Sequence, residues 1–204
     1  MAAKGEATRE KILAHGETLV LQKGYSGMTL DELLMVTGLT KGAFFHHFKG
    51  KADLARAIVE RYAENDFKLF QEWSTRADRL SDDPLERVLI FLKLFEEFLD
   101  GLGKPFAGCV FASYTYEAKN FGPEVLDYIR TSLDGWIGIY ETKLDALIAA
   151  QTPTQKVTAR QLAEMIATIV EGGFIMANAM EDATWLQRQS QQYRNYLVLL
   201  FRGK

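Results

Sequence analysis

With 204 residues, 48% of them apolar, the chain has room for one large domain or two small ones and enough carbon to bury a core. A single cysteine excludes an internal disulfide framework, and one cysteine with three histidines, two of them adjacent, assembles no metal set. The net charge of −3 is spread unevenly: residues 1–53 hold seven basic against six acidic residues and all three histidines, while the remainder holds 17 against 21, so one end attracts phosphate and the bulk mildly repels it.

The start, MAAKGEATREKI, is charged and lacks an apolar segment of the kind a secreted protein carries, so a cytoplasmic location is expected. A helix over about residues 5–23 follows, with Ile12, Leu13, Gly16, Leu19 and Val20 on one stripe and a stop at Gly24. Residues 29–51, TLDELLMVTGLTKGAFFHHFKGK, are the most informative stretch. Thr29 and Glu32 have the spacing of a capping box, in which the hydroxyl accepts from the Glu32 N–H and the carboxylate reaches back to the Thr29 N–H. Gly38 ends that first short helix after about eight residues, and Thr40 caps a second over residues 41–47. Two helices joined by so short a glycine turn form a helix-turn-helix. The 3.6-residue period turns Leu39, Phe44 and Phe48 toward a core and Lys41, Gly42, Phe45 and His46 outward, where they would meet the major groove. Lys41 can reach guanine acceptors or a phosphate, His46 and His47 can donate to base edges or phosphates, and Gly42 and Ala43 keep the surface low. Lys49 and Lys51 sit where phosphate clamps serve best, in a run from Thr40 to Lys51 free of acids.

The segment from Thr8 to Tyr62 resembles the DNA-binding domain of TetR-family transcriptional regulators, most specifically in Gly24-Tyr25, Thr29, Gly38-Leu39-Thr40-Lys41-Gly42 and Phe45-His46-His47-Phe48 with Lys51. The resemblance implies operator contacts for Thr29, Lys41, Gly42, Ala43, Phe45, His46, His47 and Lys51. It departs from the family at Phe45, where a phosphate-contacting tyrosine is usual; a contact there must be apolar, to a thymine methyl for instance.

Beyond the head the chain reads as helical throughout. A helix over about residues 51–74 begins with Asp53 in its first turn and carries Leu54, Ile58, Tyr62, Leu69 and Trp73. Pro84 opens a helix to about residue 101; Gly103-Lys104-Pro105 breaks it, and another spans 107–119. Pro123 starts a long helix whose stripe runs from Val125 to Leu147. Residues 151–155 form a loop. Residues 162–180 are apolar on nearly every side, though Glu171 and Asn178 interrupt the run from Met165 to Met180 and leave it short of the roughly 18 residues a bilayer span needs. A last helix covers about residues 184–201. Two such helices from each of two chains would make a four-helix bundle, with Gly172-Gly173 allowing close approach, so a homodimer through the last two helices is expected. The looser resemblance of EGGFIMANAMED and WLQRQSQQYRNYLVLLF to the family's C-terminal part agrees.

The expected architecture is therefore all-α: a three-helix helix-turn-helix DNA-binding domain over residues 1–50, then a helical ligand-binding and dimerisation domain over 51–204. Residues 67–140 are crowded with aromatic rings, which pack with gaps that small ligands fill. The resemblance implies an inducer or corepressor in this region, and Trp73, Phe95, Phe106, Cys109, Tyr114, Trp136 and Met176 are the expected lining. Cys109 among apolar neighbours reads as a small hydrophobe, with redox sensing as the alternative. No nucleophile, base or metal constellation suggests an enzyme, and no cofactor is expected. The expectation is a repressor that binds a palindromic operator as a homodimer and is released by a small apolar or aromatic effector. The competing expectation is a DNA-binding architectural or partner-recruiting protein with no small ligand.

Overall fold

The computed structural model describes residues 2–101 and 108–203, and all regular structure among them is helical. The order is α1 Ala2–Gly27, α2 Leu30–Thr37, α3 Lys41–His47, α4 Lys51–Leu80, α5 Pro84–Gly101, α6 Val110–Tyr116, α7 Pro123–Ala150, α8 Ala159–Ala179 and α9 Trp185–Arg202, with a 3-10 turn Ala118–Asn120 before α7. α1 is two helical pieces joined at Gly24, whose φ of 73° and ψ of 169° break it at the expected residue. The chain resumes one short helical segment before Met28. α4 runs six residues past its expected end, because nothing between Ser74 and Leu80 opposes a helix. α6 begins at Val110 and ends at Tyr116, before the expected end at residue 119; the expected start at residue 107 lies outside the described residues.

Two compact units emerge: Met1–Asn65 with Gly108–Thr131, and Asp66–Ala107 with Ser132–Lys204. The sequence boundary at residues 50 and 51 follows the start of a helix, whereas these units follow packing. In the first, Ile12, Leu13, Val20, Leu33, Phe44 and Ile58 are buried together on α1 to α4. Arg61 on α4 bridges Glu10 and Glu17 on α1. α6 joins this unit by sequence-distant contacts: the hydroxyl of fully buried Tyr114 donates to the Ala55 carbonyl at 3.1 Å.

In the second unit α8 and α9 pack as an antiparallel pair under a genuine capping box, Thr158 with Gln161. Tyr193 Oη donates to the Leu162 carbonyl at 2.8 Å. Glu96 on α5, 1% exposed, accepts from Ser190 Oγ at 2.9 Å and Arg194 Nε at 2.9 Å on α9. A buried carboxylate is tolerated only when paired and hydrogen-bonded in this way. Lys143 on α7 is likewise buried and donates to Asp78 at 2.7 Å and to the Ser74 carbonyl at 3.1 Å. α8 is not covered all round. It buries Leu162, Ile166, Val170 and Phe174 but leaves Met165, Ile175, Met176 and Met180 exposed. By length and composition it is the one helix among the described residues apolar enough to cross a membrane, with a mean hydropathy of 1.3.

Candidate nucleic-acid interface and aromatic chamber

The helix-turn-helix is built by its caps. Thr29 Oγ1 accepts from the Glu32 N–H at 3.2 Å, and Thr40 Oγ1 accepts from the Ala43 N–H at 3.2 Å. The return arm expected at the first cap goes elsewhere, since the Glu32 carboxylate is ion-paired with Lys23 on α1. Gly38 takes φ 66° and ψ 23°, the left-handed conformation that closes α2 and that a side chain would strain. Thr37 is buried and its hydroxyl donates to the Leu33 carbonyl at 2.6 Å, so the last turn of α2 is fixed from within. α3 then divides as its period dictates. Phe44 and Phe48 are buried, with ring centroids 5.7 Å apart, while Lys41, Gly42, Phe45 and His46 are exposed and Ala43 and His47 half-buried. Phe45 leaves 47% of its surface in water, which a ring on a seven-residue helix does not do for stability. Met35 and Val36 on α2 are exposed as well. Thr29, Thr40 and Lys49 are also exposed. Lys51 differs: its Nζ donates to the Ser26 carbonyl at 3.3 Å and lies 4.4 Å over the Tyr25 ring, which occupies one of its three N–H donors.

The second unit holds an apolar cavity of about 10 Å³, room for roughly one water-sized sphere. Phe70, Phe91, Leu92, Phe95, Trp136, Tyr140, Ile166 and Val170 line it. The Phe70 ring has its centroid 4.9 Å from that of Trp136, 5.3 Å from Trp73 and 6.0 Å from Phe91. The Tyr140 hydroxyl is buried beside that of Tyr193, and burial first, then Tyr193, pushes its pKa far up, so it stays neutral.

The domain described as bacterial regulatory proteins, tetR family, matches residues 12–58, and the C-terminal domain of LmrA/YxaF-like transcriptional regulators matches residues 84–192, more than half of the chain. The chain belongs to the TetR family. It is thus a DNA-binding transcriptional regulator. Among its relatives is the transcriptional repressor NemR of Escherichia coli (strain K12), 47% identical over 55 residues, a match spanning 27% of this chain and only 28% of that protein. Another is the regulator LmrA of Bacillus subtilis (strain 168), 24% identical over 184 residues that cover 87% of this chain and 89% of that one. A TetR-family regulator from Agrobacterium tumefaciens has the same fold, with a TM-score of 0.79, 22% identity and coverage of 97% and 99%. So does the reduced form of Escherichia coli NemR, with a TM-score of 0.74, 22% identity and coverage of 93% and 97%.

In this TetR-family chain the residues expected to line a ligand chamber are not brought together. Phe95 and Trp136 line the cavity, and Trp73 packs against its Phe70, Phe91 and Phe95. Cys109 and Tyr114 are buried in the other compact unit, Met176 is 38% exposed on α8, and Phe106 lies outside the described residues. Sequence reasoning passed over Tyr140, Phe91, Ile166 and Val170. Their signal was present: Phe91 with Phe95, Trp136 with Tyr140, and Ile166 with Val170 are three i, i+4 pairs on three helices, each presenting two side chains to one point.

Proposed function

We propose that the chain is a ligand-responsive repressor that acts in the cytoplasm, binds a palindromic operator as a homodimer and is released by a small, largely apolar or aromatic effector. The observation that carries the reading is the outward face of α3, where Lys41, Gly42, Phe45 and His46 are all held exposed over a rigid Phe44–Phe48 base. Residues of this kind on so short a helix have no core to serve and suit major-groove edges. Thr29, Thr40, Lys41, Gly42, Ala43, Phe45, His46, His47, Lys49 and Lys51 are the proposed DNA contacts. Phe45 would read a thymine methyl. NemR is named a repressor, and the same sign is taken for this chain.

The exposed stripe of α8 supports the homodimer. Met165, Gly172, Ile175, Met176 and Met180 recur at helical spacing, Leu199 on α9 is exposed too, and a second copy would cover them. The apolar cavity supports the effector. A ligand favouring a dimer whose heads stand at the wrong separation weakens operator affinity by that difference in affinity and no more. α4, with Lys51 at its start and Trp73 further along, is the proposed transmitter.

Selecting DNA from a random pool with the purified protein tests the first part: a two-fold symmetric motif is expected, and the absence of any enriched sequence at low salt refutes it. Thermal shift against a panel of uncharged aromatic and aliphatic metabolites tests the second, because a ligand of the native state raises the melting temperature. A panel with no hit favours the architectural reading. Lys41→Ala is expected to lower affinity for the selected operator about 5- to 150-fold, the range for one base contact, and to relax the preference at one position. An equal loss on operator and random DNA places Lys41 on phosphate instead.

A further inference from the structure

Where α1 bends at Gly24 it meets the end of α6. Glu117, just past α6, receives the backbone N–H of Ser26 at 2.9 Å, the Ser26 hydroxyl, and Asn120 Nδ2 at 3.1 Å. Asn120 also donates to Ser26 Oγ at 3.0 Å. The bend is shaped for this carboxylate: a Cβ on Gly24 would stand 2.5 Å from Glu117 Oε1, and the φ of 73° already excludes one. Desolvation at this rim raises the carboxyl pKa, but the hydrogen bonds from Ser26, the Tyr25 N–H and Asn120 outweigh it and the net displacement is downward. Ser26 closes the junction on its other side, because its carbonyl is the acceptor for Lys51 Nζ, and that ammonium covers Tyr25. Tyr25 in turn packs on Phe121 at 4.7 Å and Tyr114 at 5.9 Å.

We infer that Glu117 is a positioning residue for DNA binding: across 91 residues of chain it clamps the bent end of α1 and, through Ser26, the Lys51 ammonium, fixing the position from which the head engages DNA. The inference rests on the proposed phosphate contact of Lys51 for its route, and on the family's DNA binding for its outcome. Its sign opposes simple electrostatics. Removing an acid from a DNA-binding unit should tighten binding to a polyanion, whereas loss of a positioning clamp loosens it.

The test compares wild type, Glu117→Ala, Glu117→Gln, Lys51→Ala and the Glu117→Ala/Lys51→Ala double variant, with affinity for the selected operator measured from low to moderate salt. Glu117→Ala is expected to weaken binding about two- to tenfold, the range for one net hydrogen bond lost, with Glu117→Gln intermediate because it keeps an acceptor for Ser26. Its salt slope should fall by roughly 0.9, the value of one phosphate contact, and the double variant should lose little more than Lys51→Ala alone. A general loosening of the head would not single out one phosphate. Ser26→Ala removes the hydroxyl partner at constant charge and is expected to weaken binding in the same direction, should Glu117→Ala fold poorly. Unchanged or tighter operator binding by Glu117→Ala, or losses that multiply in the double variant, overturn the inference. Lys51→Ala with an unaltered slope overturns instead the phosphate reading of Lys51, and the affinity of Glu117→Ala still decides the role of the clamp.

Discussion

Phe44→Ala is expected to abolish operator binding at every salt concentration and to remove about 3–5 kcal/mol from the stability of the DNA-reading helices, the range for deleting a buried phenylalanine. Phe44 has 0% exposure and fixes α3 to the core with Phe48, while its edge meets Phe45 at 5.3 Å. Nothing close at hand can fill the space, because α3 has only seven residues and Phe48 already occupies the neighbouring volume. Phe45→Ala, one residue along, is the control: the ring stands 47% in water, so melting should shift little while affinity for the operator falls. Circular dichroism melts and filter-binding or anisotropy titrations of the two variants separate packing from reading. A Phe44→Ala protein that melts and binds like wild type would remove the rigid base on which the α3 assignment stands.

Adjacent glycines on α8 give the second contrast. Gly173→Ala is expected to cost about 1–3 kcal/mol, the range for overpacking a filled interior. An added Cβ would lie 2.5 Å from Leu186 Cδ1, 3.1 Å from its Cβ and 3.2 Å from its Cγ. Rotating Leu186 clears the first contact but not the second, since the Cβ moves only with α9 itself. Gly172→Ala meets nothing within 4 Å and should raise helix stability by up to about 1 kcal/mol in the isolated chain. Gly172 also lies on the exposed apolar stripe, so a bulkier Gly172→Leu is expected to weaken self-association, read by sedimentation across a concentration series. Equal effects at the two positions in thermal melts would contradict the helix packing described.

Much of this was legible in local sequence. Thr29, Gly38 and Thr40 act on their own neighbours within three or four residues, and the structure places α2 and α3 over the expected residues. The Phe44–Phe48 face followed from a period of 3.6 alone. The failures share a cause. Glu32 had a local partner in view but pairs with Lys23 on another helix. Gly172 and Gly173 read alike, yet one faces Leu186 and the other open space, a distinction that exists only once α9 is in position. Tyr114 looked like any aromatic of the middle region, and its burial against Ala55 depends on a contact 59 residues away. Aromatic abundance announced that rings would pack, but not which rings leave a gap, because that is decided by three helices arriving together.

The anchor between α5 and α9 couples the residues allowed on one helix to those on the other. An apolar residue in place of Glu96 would leave the Arg194 guanidinium and the buried Ser190 hydroxyl without their acceptor, and loss of Arg194 would leave the nearly buried acid with only Ser190 and the more distant Lys93. A chimera whose borrowed final helix lacks Ser190 and Arg194 would leave that carboxylate, 1% exposed, with Lys93 as its remaining cationic partner.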